Sequence, residues 1–389
     1  MWSQRGTLCD GCAARGFYET MKLLYLHEFP VPSRFANGVH VAQMCSAFAG
    51  HGIDVTLCVP DKGKEMSAEQ LAVHYGLRHP FGIWRVPSAC FGDRVYRYAW
   101  NAMRYAKSVD VDIVYGRSVV ACMLAARAGL KTIYEGHQPV TGRMNRIAFS
   151  LLLSCDSLSH VVVISEALKK MYMEVYALPE SKIIVAHDGA DPGKIVTGSL
   201  SEQSVNRERV AVTYIGSLGH EASGRGIEII VSLAGQFPHV QFNVYGGSTG
   251  QVQYWRKKSN ISNLNFLGFI PPHRVNEKLF CSDILLAPYQ RKVIVGGGGD
   301  TSAWMSPLKM FEYMASGKAI LCSDLPVLRE VLEHEKTALL VPPEDVGAWV
   351  SALRRLIDDV DLRVRLGEAA RNELEEKYTW EKRARKVLE

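Results

Sequence analysis

The sequence predicts an α/β chain of two doubly wound parallel-sheet domains facing each other across a cleft. Three observations carry that expectation. Short, continuously apolar runs alternate with helix-length amphipathic segments, the pattern of parallel βαβ units whose strands are covered on both faces. The alternation occurs twice, broken at residues 191–209 by a stretch of Pro, Gly, Ser and charge without periodicity. A length of 389 residues with 47% hydrophobic and 22% charged residues suits two large cores and excludes wholesale disorder or fibrous repeats.

Taken in order, residues 1–20 lack an apolar signal region and are expected to be a poorly ordered extension, with Met21 opening the folded chain. The first domain, 21–190, is assembled from the runs MKLLYLH, DVTLCVP, DIVYGR, KTIYEGH, HVVVISE and KIIVAHDGAD. Residues 191–209 read as the linker. The second domain, 210–370, takes VAVTYIGS, VQFNVYGG, LNFLGFI, ILLAPY, AILCSD and ALLVPP. A closing helix is expected over 371–389, with Trp380 placed to anchor it on the first domain. The most apolar stretch, 147–164, is broken by Asp156 and His160 and falls short of the ~20 apolar residues of a spanning helix. Nine cysteines, an odd number in apolar surroundings, read as reduced thiols of a cytoplasmic protein. Cys9 and Cys12 lack the second pair a zinc site needs. A net charge of +5 is too small to indicate nucleic acid, and no such partner is expected.

The most informative segment is SPLKMFEYMASGKAI, residues 306–320. Ser306 reads as a helix cap with Pro307 at the first helical position, which leaves free N–H groups beside Leu308 and Lys309. Those donors and the helix dipole attract phosphate, and a lysine there, unfavourable for a bare helix, answers to an anion. Glu312, one turn on, is placed to accept both hydroxyls of a ribose; an ordinary surface Lys–Glu pair is the alternative. A second phosphate signal follows the first strand of the second domain, where Gly216 and Ser217 precede Gly224-Arg225-Gly226, and Arg225 offers a bidentate fork. In the first domain Gly38, within SRFANGVH, is expected to let backbone approach a ligand from the opposite side. His137 ends a strand at the same carboxyl edge, where a structural and a ligand-orienting role are equally open. The pairs Asp110/Asp112 and Asp359/Asp361 read as structural, so no metal site is expected.

In this order and spacing, the chain from Met21 onward resembles the glycosyltransferase family 4 type of retaining transferases with the GT-B fold. The matching pieces include the NG loop, VVVISEALKK, IIVAHDGAD, YIGS with its later RG, NLNFLGFIPPHRV, DILLAPY, the 306–320 block, LLVPPED and the terminal YTW. The resemblance implies that Arg225, Lys309 and the amides around Leu308 hold a pyrophosphate, and that Glu312 holds the nucleotide ribose. It also implies that Phe269 and Ile270 meet the base and that His137 lies against the donor sugar. The implied activity is metal-independent, retaining transfer of a hexose from a UDP-type donor to a polysaccharide, lipopolysaccharide or glycolipid acceptor, with no cofactor besides the donor.

Two departures stand out. Trp304 occupies the position, eight before Glu312, where the family has a first glutamate, and Ser217 replaces the usual arginine. A subset with the form S-P-x-K-x-x-E-Y-M-A fits better, with Lys309 supplying the charge. The missing glutamate leaves open a noncatalytic nucleotide-sugar-binding subunit, and an epimerase or phosphorylase of the same architecture is a further alternative. Gly296 to Gly299 with Asp300 is either a lid or a flexible insertion. Residues 78–107, rich in Arg and aromatics, are expected either to rest on anionic lipid or to be a solvated helix with its aromatics in the core.

Overall fold

The computed structural model describes residues 20–33, 35–61, 65–87, 94–192, 209–219, 223–294 and 299–389. The expected extension lies almost wholly outside these residues, as do most of the linker and the candidate lid at 296–298. Helices are numbered here without the short 3-10 turns.

The first domain alternates β1 (Lys22–Leu26), α1 (Ala36–Gly50), β2 (Asp54–Pro60), α2 (Ala68–Tyr75), β3 (Gly82–Val86), α3 (Arg94–Ser108), β4 (Ile113–Gly116), α4 (Val119–Arg127), β5 (Thr132–Gly136), α5 (Arg143–Leu153), β6 (Leu158–Val163), α6 (Glu166–Tyr176) and β7 (Ile183–Val185). Its seven strands are all parallel, in the order β3-β2-β1-β4-β5-β6-β7. Six of them are the apolar runs read from the sequence. The seventh, β3, was not among those runs: it is an edge strand, GIWRV, whose Trp84 and Arg85 are only half-buried, so it lacks the apolar signature of a central strand.

The second domain follows with β8 (Ala211–Ile215), α7 (Ile227–Gln236), β9 (Gln241–Tyr245), α8 (Thr249–Ser259), β10 (Leu264–Gly268), α9 (Val275–Phe280), β11 (Ile284–Ala287), α10 (Leu308–Ser316), β12 (Ala319–Ser323), β13 (Leu339–Val341) and α11 (Val346–Asp358). Its six parallel strands run β10-β9-β8-β11-β12-β13. Both sheets reverse direction of growth beside their first strand, and parallel sheets of this kind bind ligands outside the strand ends at that reversal.

The chain closes with α12 (Val360–Lys377) and α13 (Trp380–Lys386). Position 371 therefore lies inside a continuous helix that packs on α10, and the element that crosses back is α13 alone, against α1. Trp380 is buried in the first domain's core, its ring 5.3 Å from that of His40. The two D-x-D sequences serve the backbone: Asp112 accepts from the Lys22 N–H at 2.7 Å, and Asp359 accepts from Leu362 N–H at the start of α12. Cys45, Cys58, Cys122 and Cys322 are buried free thiols. No helix among the described residues is long and apolar enough to cross a membrane.

Candidate active site

The second-domain side of the site is built on the first turn of α10. The sequence makes Ser306 the cap, but Pro307 occupies that position, in extended conformation and with no side-chain cap. Proline holds the residue before it out of the helical region, so Ser306 stays outside the helix. Its Oγ accepts instead from the Asp188 N–H, 2.9 Å away in the first domain. Met310 N–H is bonded back to Pro307. Among the described residues, the amides of Leu308 and Lys309 have no backbone partner, as expected for the open end of a helix.

Lys309 points into an aromatic slot, its Nζ 4.1 Å from the Tyr214 ring centre and 4.6 Å from that of Tyr289. Gly216 makes the room: a Cβ there would stand 2.8 Å from the Lys309 Nζ. Gly226 is required for its backbone, with φ of 70° and the Pro288 oxygen 1.8 Å from where a Cβ would sit. Between Gly224 and Gly226, Arg225 donates to the Ile294 carbonyl at 3.3 Å. Burial and the Arg225 charge hold the Lys309 ammonium well below its usual range. Burial also lifts the Glu312 carboxyl to about 7, against the pull of Lys309. Neither Lys309 nor Glu312 forms an ion pair among the described residues. The slot therefore sets a buried Lys309 ammonium beside the half-buried Arg225 guanidinium, with the Glu312 carboxyl one turn away.

Other expected contacts are placed as follows. The Ser217 carbonyl accepts from Tyr214 Oη at 2.7 Å, which shapes the loop after β8. Phe269 is exposed just past β10, and Ile270 is half-buried against the core beneath α10. Gly38 is on the first-domain side. It lies buried within α1, its N–H bonded to Phe35, and its missing side chain accommodates Ser33 and the Tyr75 hydroxyl. Tyr75 Oη accepts from Ser33 N–H and donates to Ser33 O, which ties the loop after β1 to α2.

The first-domain side centres on a residue the sequence reading passed over, Glu135 at the end of β5. Its Oε1 lies 3.0 Å from His137 Nε2, 3.0 Å from His40 Nε2, and accepts from Arg383 Nη2 on α13. His40 Nδ1 in turn lies 2.9 Å from Asp188 Oδ1. Burial opposes the Glu135 charge, but Arg383, His40 and His137 outweigh it and hold the carboxyl well below its usual range. Burial and the nearby Arg117 lower His137 to about 3, so its imidazole is neutral. With a carboxylate as partner, Nε2 carries the proton and Nδ1 is left as an acceptor. The sequence signal for this network was a carboxylate in an otherwise apolar strand, KTIYEGH, because a buried charge demands partners. Those partners, His40, Asp188 and Arg383, are too far apart in sequence to be paired by spacing.

The two sides meet. Ser306, Asp188, His40, Glu135 and His137 form one chain of polar contacts from the amino end of α10 to the end of β5. Trp304 packs against the first domain's core and its carbonyl accepts from Ser165 Oγ at 2.9 Å. His40, Glu135 and His137 place donor atoms within 4.8 Å of one another. A metal there would have to expel the guanidinium of Arg383 from Glu135, so these residues do not fit one.

Residues 38–194 match the family model described as Glycosyltransferase Family 4, and residues 209–359 match that described as Glycosyl transferases group 1. A phosphatidyl-myo-inositol mannosyltransferase of Mycolicibacterium smegmatis is 24% identical over 224 residues, covering 56% of this chain and 53% of that protein. A glycosyltransferase of Methanocaldococcus jannaschii is 21% identical over 252 residues, covering 61% of this chain and 60% of that one. The matched region thus spans little more than half the length of these relatives. Among solved structures, Anabaena HepE in complex with UDP superposes with a TM-score of 0.71 at 14% identity, covering 95% of this chain and 98% of that one. Sucrose-phosphate synthase from Thermosynechococcus elongatus gives 0.70 at 16% identity, covering 94% and 96%. A paired sheet architecture and two family models that follow each other along the chain lead to one conclusion: the chain belongs to the family 4, group 1 glycosyltransferases and has their GT-B fold.

Proposed function

We propose that the protein transfers a hexose from a nucleotide-diphosphate sugar, UDP-linked, to a hydroxyl of a glycan or glycolipid, with retention of anomeric configuration and without a metal. The observation that carries this reading is the pair of cations Lys309 and Arg225 beside the open amides of Leu308 and Lys309. The HepE complexes with UDP and with UDP-glucose make a uridine nucleotide the first donor to test.

In this scheme the bond between the sugar's anomeric carbon and the β-phosphate oxygen breaks, and the new negative charge falls on the phosphate. Lys309, Arg225 and the two amides stabilise it, and these fixed donors supply the charge that a divalent cation otherwise provides. The acceptor hydroxyl attacks from the face the phosphate leaves, and its proton passes to the departing phosphate oxygen. Glu312 accepts the ribose hydroxyls in its ionised form. His137 offers Nδ1 to a donor-sugar hydroxyl, with Glu135 fixing the ring. Trp304 has no carboxylate to offer the sugar, so orientation falls more heavily on His137.

We further propose that the first domain rests on anionic lipid. Within 78–107, Tyr98 is buried and Trp84 stacks on Tyr105 at 4.0 Å, so those aromatics belong to the fold. Trp100 is 53% exposed, however, and lies between the exposed Arg97 and Arg104 on the outer stripe of α3. Two helices along the same layer, α5 presents Met144, Ile147 and Leu151 beside Arg143 and Arg146, and α3 to α5 contain no acidic residue. Apolar side chains set among cations suit a negatively charged bilayer.

The donor reading is tested by incubating the protein with UDP-glucose and following UDP release with and without EDTA. Turnover insensitive to EDTA, and lost in Lys309→Met, supports it. Tight binding without turnover across a broad acceptor panel would instead favour a noncatalytic binding subunit.

A further inference from the structure

The first sheet reverses its direction of growth between β1 and β4. Leu26 stands in register with Gly116, so the next residues, His27 and Arg117, leave the sheet side by side at the edge where such folds bind ligands. Gly116 keeps the two ends close, since a Cβ there would come within 2.7 Å of Leu26 Cβ. Neither residue has a part in the donor scheme above.

Their polar atoms lack partners. His27 is 2% exposed, yet neither ring nitrogen has a hydrogen-bond partner among the described residues. The same holds for the buried Nη1 of Arg117 and for Oδ1 of Asn37 in the first turn of α1. Buried polar groups are nearly always satisfied, and here three elements converge on one edge with theirs open. Arg117 forms no ion pair among the described residues, and its charge helps hold both His27 and His137 neutral. That places it beside the imidazole assigned above to the donor sugar.

We propose that this edge of the first sheet is the subsite of the accepting substrate and binds an anionic group of it, a phosphate or a carboxylate, on Arg117, with His27 and Asn37 reading adjacent hydroxyls. The proposal rests on the transfer reading and names the chemical class of its second substrate. The neutral imidazole supplies one donor and one acceptor, the combination a polyol hydroxyl needs. Arg117 supplies the charge.

The test is a calorimetric titration of inorganic phosphate, glucuronate and glucose into the full chain already saturated with UDP, which occupies Lys309 and Arg225. The proposal expects at least one anion to bind and glucose to give no signal. It also expects Arg117→Gln to weaken the anion about tenfold or more while leaving UDP affinity unchanged. The tighter anion identifies the group. No anion binding to the UDP-loaded chain, or equal binding by Arg117→Gln, overturns it. Should Arg117→Gln fail to take up UDP, Arg117→Lys decides: weakened anion binding supports the assignment, and unaltered binding overturns it. Failure of the wild-type chain to bind UDP is a different result, which sinks the donor reading; anion titration of the nucleotide-free chain then judges Arg117 separately.

Discussion

Replacing Arg383 by methionine tests how the last helix is tied to the catalytic edge of the first domain. Arg383 is 3% exposed and serves four acceptors: Glu135, the Ala186 carbonyl at 3.2 Å, the His187 carbonyl at 2.9 Å and Met44 Sδ at 3.1 Å. Glu135 is itself 1% exposed. Removing one partner of a buried pair leaves an uncompensated charge and costs about 3–5 kcal/mol, and two orphaned carbonyls move the loss toward the upper end. The pH dependence has a definite sign. Glu135 titrates well below its unfolded value, so its contribution is complete above about pH 4.5 and fades as pH falls through the lower folded value. Without Arg383 the carboxyl takes up a proton at higher pH, and His137 loses the acceptor that fixes its ring. Urea unfolding at pH 7 and pH 4, with kcat/KM for donor turnover, measures both effects. Glu135→Gln combined with Arg383→Met should lose markedly less than the sum of the single changes. A single-variant loss under about 1 kcal/mol, or strict additivity in the double variant, would refute the reasoning.

Glu312→Gln should stabilise the free protein above pH 7 by about 3 kcal/mol, because the carboxyl rises from about 4.5 unfolded to about 7 folded and its ionisation then opposes folding. The advantage vanishes below about pH 4.5, and the same change should weaken donor affinity; thermal melts across pH check the first effect and calorimetry the second. Gly216→Ala should fold, since the Cβ meets the ends of two side chains, Lys309 and Tyr214, and no backbone, yet displace that ammonium and weaken UDP binding about tenfold. Trp100→Ser with Arg143→Gln should lower partition onto vesicles of anionic lipid about fivefold or more and leave neutral vesicles unaffected, read by co-sedimentation; unchanged partition would remove the membrane proposal.

The architecture was legible because buried parallel strands announce themselves as apolar runs; the exception, β3, lies on an edge where Arg85 keeps contact with solvent. The grouping of the proposed donor half was legible for a related reason. Lys309, Glu312 and the glycines around Arg225 lie within short segments whose local geometry follows from helix ends and turns. The first-domain half was not, apart from His137. Its partners His40, Glu135, Asp188 and Arg383 come from three elements and the loop after β7, and Arg383 arrives from α13, 248 residues after Glu135. Only the return of the chain onto α1 brings them together, and no local pattern encodes that return. Ser306 shows the opposite error, a correct local preference overridden because Pro307 delays the helix and the hydroxyl finds Asp188.

One comparison bears most directly on the anion site at the start of α10: the folding stability and UDP affinity of Lys309→Met beside wild type. The account predicts that the variant, relieved of a buried cation facing Arg225, is the more stable free protein and binds UDP at least tenfold more weakly. A variant that binds UDP as tightly as wild type would contradict it.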